Sequence, residues 1–185
     1  MQSRILGASL GAIACCLLGA CHSDNAKPDG AQGNAPTGKT ASAAFLQHPG
    51  SPISGTVTFT QEGNKVHAVA ILAGAPMGVH GFHIHEKGDC TASDFSSAGE
   101  HFNPGHKEHA CPPGEAHHAG DFGNIEIGKD GTGRVEITTD QLSVGDGPNS
   151  VVGKSIVLHE QKDDCTSQPS GNSGKRIACA PIQVK

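Results

Sequence analysis

The chain has 185 residues, of which 35% are hydrophobic and only 3% aromatic, with neither Trp nor Tyr. Its 26 Gly and 11 Pro are too many for a helical bundle and suit short strands joined by turns. The formal net charge is −5 with only 13 Lys and Arg, which excludes the basic surface of a nucleic-acid-binding protein.

The first twenty residues predict an export signal. Met1–Arg4 is a short positive segment, and Ile5–Leu18 is an apolar run too short and too rich in Gly and Ala to span a membrane comfortably. The run ends in Leu18-Gly19-Ala20-Cys21, which resembles the lipobox of bacterial lipoproteins, where the cysteine becomes the lipidated first residue. Residues 1–20 are therefore predicted to be a lipoprotein signal peptide. The alternative is an ordinary signal peptide cleaved nearby, with Cys21 incidental.

The segment after the signal predicts a flexible tether over residues 21–39. From His22 to Lys39 the chain is polar and rich in Gly, Pro and Ala, without apolar periodicity. Such a tether would let a folded domain stand off a membrane that it touches only through a lipid on Cys21. We expect the protein in the periplasm or cell envelope, and His22 after Cys21 favours the outer membrane by analogy.

Residues 40–185 are predicted to form one all-β domain. Short β-rich runs separated by turn residues recur from about Ala43 onward, and no window shows a helical period. The clearest runs cover residues 56–59, 65–72, 81–85, 124–127, 134–138, 151–159 and 176–184. This pattern favours an antiparallel sandwich or barrel.

Two long segments interrupt the strand spacing, Glu86–Asp121 and Glu160–Lys175. Long loops inside a compact domain are usually functional. Both segments lie next to histidines, so we expect the functional site between them.

The histidines have the spacing of metal ligands. Eight of the 12 lie between His80 and His118. His83 and His85 share one face of a predicted strand, and His159 ends another. A further set, His101, His109, His118 and Asp121, is separated by 8, 9 and 3 residues. Imidazole suits copper and zinc, and a neighbouring carboxylate still suits zinc, so the pattern predicts a metal site.

Several motifs, in chain order, carry a family resemblance. They are Gly81-Phe82-His83-Ile84-His85-Glu86, Gly88-Asp89, His101-Phe102-Asn103-Pro104, His118-Ala119-Gly120-Asp121, His159-Glu160 and Arg176-Ile177-Ala178-Cys179. From about Ser54 to the C-terminus the chain resembles copper/zinc superoxide dismutase, and its N-terminus suggests a bacterial secreted lipoprotein-type member. The resemblance implies a Greek-key β-sandwich or barrel of about eight antiparallel strands.

The resemblance also implies the ligands. Copper would be held by His83, His85, His101 and His159. Zinc would be held by His101, His109, His118 and Asp121, so that both metals share His101. Asp163 would hydrogen-bond His83 and His109, with Asp164 as the neighbouring alternative. His80, His106 and His117 match no ligand position and are expected to be structural or solvated, with His117 the alternative to His118.

The implied activity is dismutation of superoxide to dioxygen and hydrogen peroxide by a redox-cycling copper beside a structural zinc, which would protect the cell envelope. The catalytic residues would be His101, which takes up and delivers a proton, and Arg176, which guides the anion. Lys107, Lys162 and Lys175 either attract superoxide or are ordinary solvated residues. The alternative function is a secreted module that only buffers copper or zinc, but the complete copper set and Arg176 favour the enzyme.

The remaining expectations concern cysteines and assembly. Export predicts disulfides, and the resemblance pairs Cys90 with Cys179. Cys111 and Cys165 are either a second disulfide or two free thiols. If Asp163 contacts His109, each cysteine lies two positions beyond one of them, within bridging reach, so we predict a Cys111–Cys165 disulfide. No motif selects an oligomeric state, and a homodimer stays open.

Overall fold

The structure, a computed structural model, describes residues 38–45, 51–114 and 116–185. The predicted signal peptide, Cys21 and all but the end of the predicted tether lie outside the described residues. No helix in the described part of the chain is long and apolar enough to cross a membrane.

Eight β-strands form the domain. They are β1 (Thr40–Phe45), β2 (Ser54–Glu62), β3 (Lys65–Ala73), β4 (Gly78–His85), β5 (Asp121–Ile127), β6 (Gly133–Thr139), β7 (Ser155–His159) and β8 (Arg176–Val184). The one helical element in the described ranges is a single 3-10 turn, Ser96–Ala98. The predicted all-β class is confirmed.

The strands close into an antiparallel barrel in the order β1-β2-β3-β6-β5-β4-β7-β8, with β8 returning to β1. Besides β8 and β1, two pairs of neighbouring strands are not consecutive in the chain: β3 lies beside β6, and β4 lies beside β7. These crossovers give the Greek-key connectivity that was expected. Two other connections, each between strands that pair directly, are long: the β4–β5 loop (residues 86–120) and the β7–β8 loop (residues 160–175).

Alternation along the strands fills the barrel. In β3 the side chains of Val66, Ala68, Ala70 and Leu72 are buried, whereas the residues between them are wholly or partly exposed. Small alanines at these positions leave room for aromatic rings. Three ring pairs cross the interior with centroids 6.4–6.5 Å apart, Phe45–Phe82, Phe59–Phe122 and Phe82–Phe122. The core thus combines these phenylalanine rings with alanine, valine, isoleucine and leucine side chains.

Most strand bounds differ from the prediction by one to three residues, and the largest differences concern β1 and β7. The segment Thr40–Phe45 was not singled out, because its alanines and serine give weak hydrophobic contrast, yet it forms β1. Strand β7 begins at Ser155, four residues later than predicted. Val151 looks like part of a strand because it is fully buried, but the chain turns at Gly153, where φ is +78°.

Candidate metal centre

Strand β4 brings two histidines to one face of the barrel wall. His83 and His85 alternate with Ile84, which points into the apolar core. On a bare barrel these two imidazoles would face solvent, but both are fully buried here. They are covered because His83 contacts the β7–β8 loop and His85 contacts the β4–β5 loop.

The β4–β5 loop returns to β4 through a triangle of main-chain hydrogen bonds. The N–H of Ile84 donates to Gly120 O (2.9 Å), that of Gly120 to Phe102 O (2.9 Å), and that of Phe102 to Ile84 O (2.8 Å). A Cβ atom at position 120 would overlap the Ile84 carbonyl oxygen, so this close approach requires glycine. Because His101 precedes Phe102 and Asp121 follows Gly120, the triangle fixes both residues next to β4.

The first of two ligand sets consists of His83, His85, His101 and His159, whose ligand atoms all lie within 4.8 Å of one another. The second nitrogen of three rings is already engaged. His83 Nε2 lies 2.7 Å from Asp163, His85 Nδ1 lies 2.9 Å from Gly99 O, and His159 Nδ1 lies 3.3 Å from Gly174 O. These contacts turn the other nitrogen of each ring toward the centre of the set.

The second set consists of His101, His109, His118 and Asp121, again within 4.8 Å and fully buried. Its centre is marked by Asp121 Oδ1, which lies 2.8 Å from His101 Nδ1, 3.0 Å from His109 Nδ1 and 3.2 Å from His118 Nδ1. The other carboxylate oxygen, Oδ2, accepts the main-chain N–H groups of Ala110 and His118. One oxygen is thus fixed by the loop while the other faces three imidazoles.

His101 belongs to both sets. Its Nδ1 faces the aspartate set, and its Nε2 points to the four-histidine set without a hydrogen-bond partner. The His83 and His101 rings lie 4.2 Å apart between centroids. A single ring therefore separates the two centres.

Both sets fit bound metal ions. Four buried imidazole nitrogens, His83 Nδ1, His101 Nε2, His109 Nδ1 and His118 Nδ1, form no hydrogen bond of acceptable geometry, although those of His109 and His118 face Asp121 Oδ1. Burying unpaired polar atoms is costly in free energy. These nitrogens converge on two points, and a cation bound at each point would offset that cost. An all-imidazole set suits copper, and three imidazoles with one carboxylate suit tetrahedral zinc.

Asp163 connects the two sets. This carboxylate is fully buried, with Oδ2 2.7 Å from His83 Nε2 and Oδ1 3.0 Å from His109 Nε2. The side-chain amide of Asn124 holds its main chain through two hydrogen bonds of 2.8 and 3.0 Å. Asp164, the alternative, is exposed, and its carboxylate binds Thr166 and Ser167 instead.

Burial lowers the pKa of three members of the four-histidine set, His85, His101 and His159. It lowers the pKa of His85 from 6.5 to about 2, with a smaller contribution from His101. Burial likewise lowers the pKa of His159 to about 3, aided by His83. For His101 burial outweighs the opposing hydrogen bond with Asp121, and the pKa falls to about 4. At neutral pH these rings are neutral, so His85 and His159 can coordinate without first losing a proton, whereas His101 must lose its remaining N–H proton to bind metal through both nitrogens.

His109 of the second set behaves differently because two carboxylates face it. Burial alone would lower the pKa of His109, but its contacts with Asp121 and Asp163 raise that pKa to about 9. Burial alone would raise the pKa of both carboxyls, but the neighbouring imidazoles hold each well below its usual range. In the metal-free protein, His109 is therefore protonated at neutral pH and both carboxylates are ionised.

Arg176 begins β8 beside the four-histidine set. Its Nη1 donates to Phe95 O at 2.7 Å and its Nη2 to Gly99 O at 2.6 Å. The Gly99 oxygen also contacts His85 Nδ1, so one carbonyl connects the guanidinium to a candidate ligand. The group is only partly buried and can meet a small anion. Three lysines named from the sequence, Lys107, Lys162 and Lys175, are exposed.

Three histidines for which the resemblance implied no ligand position, His80, His106 and His117, belong to neither set, and the same holds for His67 of β3. Both ring nitrogens of His80 lie 2.9 Å from carbonyl oxygens, those of His159 and Pro76. His106 is exposed. His117 is buried, with Nδ1 2.6 Å from His118 O and Nε2 3.0 Å from the Gln141 amide. His118, rather than its neighbour, lies in the ligand set.

Two disulfides join the loops. Cys90 pairs with Cys179, with Cα atoms 5.7 Å apart, and so connects the β4–β5 loop to β8 near Arg176. Cys111 pairs with Cys165, with Cα atoms 4.9 Å apart, and so connects the β4–β5 loop to the β7–β8 loop.

Some contributors to the site were not predicted. The carbonyl of Gly99 and the amides of Asn124 and Gln168 act through main-chain contacts, which leave no residue pattern to recognise. Gly171 was also missed, although a glycine inside a predicted functional loop is a usable signal. Its φ is +66°, and a Cβ atom there would overlap the Asp163 carboxylate.

Comparison with known proteins gives consistent results. Residues 53–182 match the family model described as copper/zinc superoxide dismutase (SODC). An extracellular Cu-Zn superoxide dismutase of Brugia pahangi is 39% identical over 156 residues, which cover 79% of this chain and 77% of that protein. A crystal structure of the clock protein EA4 matches with a TM-score of 0.72 at 38% identity, covering 80% of this chain and 96% of the other.

Proposed function

This chain belongs to the copper/zinc superoxide dismutase family, and from that premise we propose which residues hold each metal and which bind the substrate. The enzyme dismutes superoxide with copper and zinc as cofactors. One superoxide gives up an electron and becomes dioxygen, and a second takes up an electron and two protons and becomes hydrogen peroxide. Copper supplies the two oxidation states that this exchange needs, whereas zinc has no redox chemistry and is structural and electrostatic.

In our proposal the four-histidine set, His83, His85, His101 and His159, holds copper, and the set with Asp121 holds zinc together with His101, His109 and His118. The observation that carries this division is the position of His101, whose two nitrogens face different sets. Its Nε2 is the atom at which a proton is held for the reduced oxygen, because it is buried, unpartnered and directed at the copper set. Asp163 holds the His83 and His109 rings in the orientation that ligation requires.

Arg176 binds the incoming anion. Its guanidinium is a permanent cation, is fixed by two carbonyl oxygens and lies beside His85 through the shared Gly99 oxygen. The Cys90–Cys179 disulfide supports this placement, because it fixes the strand that carries Arg176 to the loop that supplies both carbonyls.

The His101→Ala variant tests the division of roles. It removes a ligand from both sets at once, so we expect less copper and less zinc per chain by elemental analysis, and loss of superoxide dismutation. The matched control is His106→Ala, which removes an exposed histidine of the same loop and should change neither quantity. A His101→Ala protein that keeps both metals and full turnover would overturn the bridging role.

We further propose that this enzyme is a lipid-anchored protein of the bacterial cell envelope, held through Cys21, with the outer membrane as its site. Export is supported by the two disulfides, which persist in oxidising compartments, and by the extracellular relative. The anchor itself rests on the lipobox-like sequence before Cys21. There it would remove superoxide that reaches the envelope.

Mass spectrometry of the N-terminal peptide, combined with membrane fractionation, tests the anchor. We expect an acylated peptide beginning at Cys21, recovered with the outer membrane. In a Cys21→Ser variant the protein should leave the membrane fraction. An unmodified N-terminus elsewhere, or a soluble native protein, would contradict the anchor without affecting the enzymatic assignment.

A further inference from the structure

The main chain at His109 is held by a side chain. The N–H of His109 donates to Gln168 Oε1 at 2.8 Å, and Gln168 Nε2 donates to the carbonyl oxygen of His109 at 2.8 Å. One primary amide thus satisfies both polar main-chain groups of the residue, as a neighbouring strand would. Gln168 is 59 residues away in sequence and lies in the β7–β8 loop.

The other members of the zinc set are held differently. Asp121 is the first residue of β5, and His101 forms an isolated antiparallel bridge with His85. His118 is held through its N–H by Asp121 itself. Among the described residues, His109 is the member of this set whose main chain relies on a side chain of the other loop.

The β7–β8 loop is closely fitted around His109 at two further points. Asp163 contacts His109 Nε2, and a Cβ atom at Gly171 would overlap the Asp163 carboxylate and approach His109 Nε2. The Cys111–Cys165 disulfide ties the same two loops together two residues beyond His109. Asp163 fixes the imidazole at one end, and Gln168 fixes the main chain from which it extends.

We propose that Gln168 is a positioning residue for zinc. Its amide fixes the main chain of His109, so that Nδ1 of that ring faces Asp121 Oδ1 while Nε2 faces Asp163. Without it, the irregular chain around His109 would have more conformations in which Nδ1 points away from the other ligands. Metal would then be held by three fixed ligands and one mobile ligand. This inference rests on the proposed role of His109 as a zinc ligand.

Two substitutions separate the parts of this contact. Gln168→Met keeps the length of the side chain and removes both hydrogen bonds. Gln168→Glu keeps an acceptor for the His109 N–H but loses the donor to its carbonyl. Because two hydrogen bonds of ordinary strength are lost, we expect zinc to leave the Met variant about tenfold faster than the wild type in the presence of a chelator. The Glu variant should fall between the two.

A spectroscopic readout distinguishes positioning from general loop stability. Cobalt(II) can replace zinc as the probe, and its visible absorption reports the geometry of its ligands. We expect the bands of cobalt-loaded Gln168→Met protein to be shifted or weakened while copper content stays at the wild-type level. Gln183→Met is the matched control, since it changes an exposed glutamine of β8 and should leave the cobalt spectrum unaltered.

His109→Ala makes the outcomes distinguishable. If this variant still takes up zinc and cobalt as the wild type does, the proposed ligand set is wrong. If it loses them while Gln168→Met keeps wild-type zinc release and a wild-type cobalt spectrum, the ligand set stands and the positioning role of Gln168 is overturned.

Discussion

At the residue scale, the oxygen of Gly99 contacts both the proposed anion-binding residue, Arg176, and a proposed copper ligand, His85. It accepts from Arg176 Nη2 and contacts His85 Nδ1, so both groups are fixed by one main-chain atom. The guanidinium uses two of its donors on carbonyl oxygens and keeps others for an anion. Its position therefore depends on the loop backbone rather than on a carboxylate that would neutralise its charge.

Arg176→Ala should lower kcat/KM for superoxide on the order of tenfold, since a fixed cation beside the site is lost and the metal ligands are not touched. Copper and zinc per chain should stay at wild-type levels. Arg176→Lys should recover part of the rate, because it keeps the charge but not the paired N–H groups. Pulse-generated superoxide decay at several salt concentrations measures the effect, and the rate should also become less sensitive to salt.

Arg134→Ala is the control for charge alone, because Arg134 is an exposed arginine on β6 that pairs with Glu136. It should leave the rate nearly unchanged. If Arg176→Ala mainly lowered copper occupancy while activity per bound copper stayed normal, Arg176 would have a structural role instead.

At the scale of elements, the two disulfides connect the β4–β5 loop to different parts of the domain. Cys90–Cys179 joins the β4–β5 loop to the strand that carries Arg176, whereas Cys111–Cys165 joins that loop to the β7–β8 loop beside Asp163. The first disulfide should support the position of Arg176, the proposed anion-binding residue. The second should support the proposed zinc site. Their removal should therefore have different functional consequences.

The Cys111→Ser, Cys165→Ser double variant should lose free energy of unfolding and retain zinc less well. A bridge across 54 residues contributes roughly 4 kcal/mol in the chain-entropy model, which sets the upper range of the loss. Urea unfolding of the metal-free protein measures the stability, and chelator competition measures zinc release. The Cys90→Ser, Cys179→Ser variant is the comparison and should mainly lower the rate. Equal zinc release in the two double variants would contradict this division.

Sequence reasoning recovered elements best where side chains alternate strongly. Strand β8 was predicted with its observed bounds, Arg176–Val184, because it lies between a turn-rich loop and the C-terminus. Strand β1 was missed because its composition resembles the tether before it. Val151 misled the prediction of β7, since a buried valine in a turn has the same sequence signature as one in a strand.

For the site, histidine spacing and the family resemblance named residues that the structure brings together in two buried sets. The triangle of Ile84, Phe102 and Gly120 could not be predicted, because main-chain hydrogen bonds do not depend on a recognisable residue type. The Gln168 contact with His109 was missed for the same reason, since one partner is backbone.

At the scale of the whole molecule, the two ligand sets give the metal-free protein opposite responses to pH. Burial depresses the pKa of His85, His159 and His101, to about 2, 3 and 4, from the ordinary value of 6.5. The unfolded chain binds protons at these groups before the folded one does, so stability falls as pH drops below about 6.5. His109 acts the other way, because its contacts with Asp121 and Asp163 overcome burial and raise its pKa to about 9. The stability it contributes is present below about pH 6.5 and is lost as pH rises toward 9.

The chelator-stripped protein should therefore be most stable near pH 6.5 and less stable both at about pH 5 and at about pH 9. Metal loading should abolish the loss on the alkaline side, because a coordinated His109 is already neutral and lacks the second proton that titrates in this range. Urea unfolding at the three pH values, with and without metals, measures this. A His109→Gln variant should lack the alkaline loss even when stripped. A stripped protein whose stability stayed constant or rose between pH 6.5 and 9 would contradict the assignment.

Strand β1 has a mechanical consequence. It is hydrogen-bonded on both sides, to β2 along its whole length and to β8 over Ala41–Ala43, and both neighbours run antiparallel to it. Tension applied at Thr40 along the strand axis loads these bonds together in shear, whereas a strand peeled from a free edge would yield one bond at a time. A force on Thr40 along the strand axis is therefore opposed by hydrogen bonds on both sides of β1 at once.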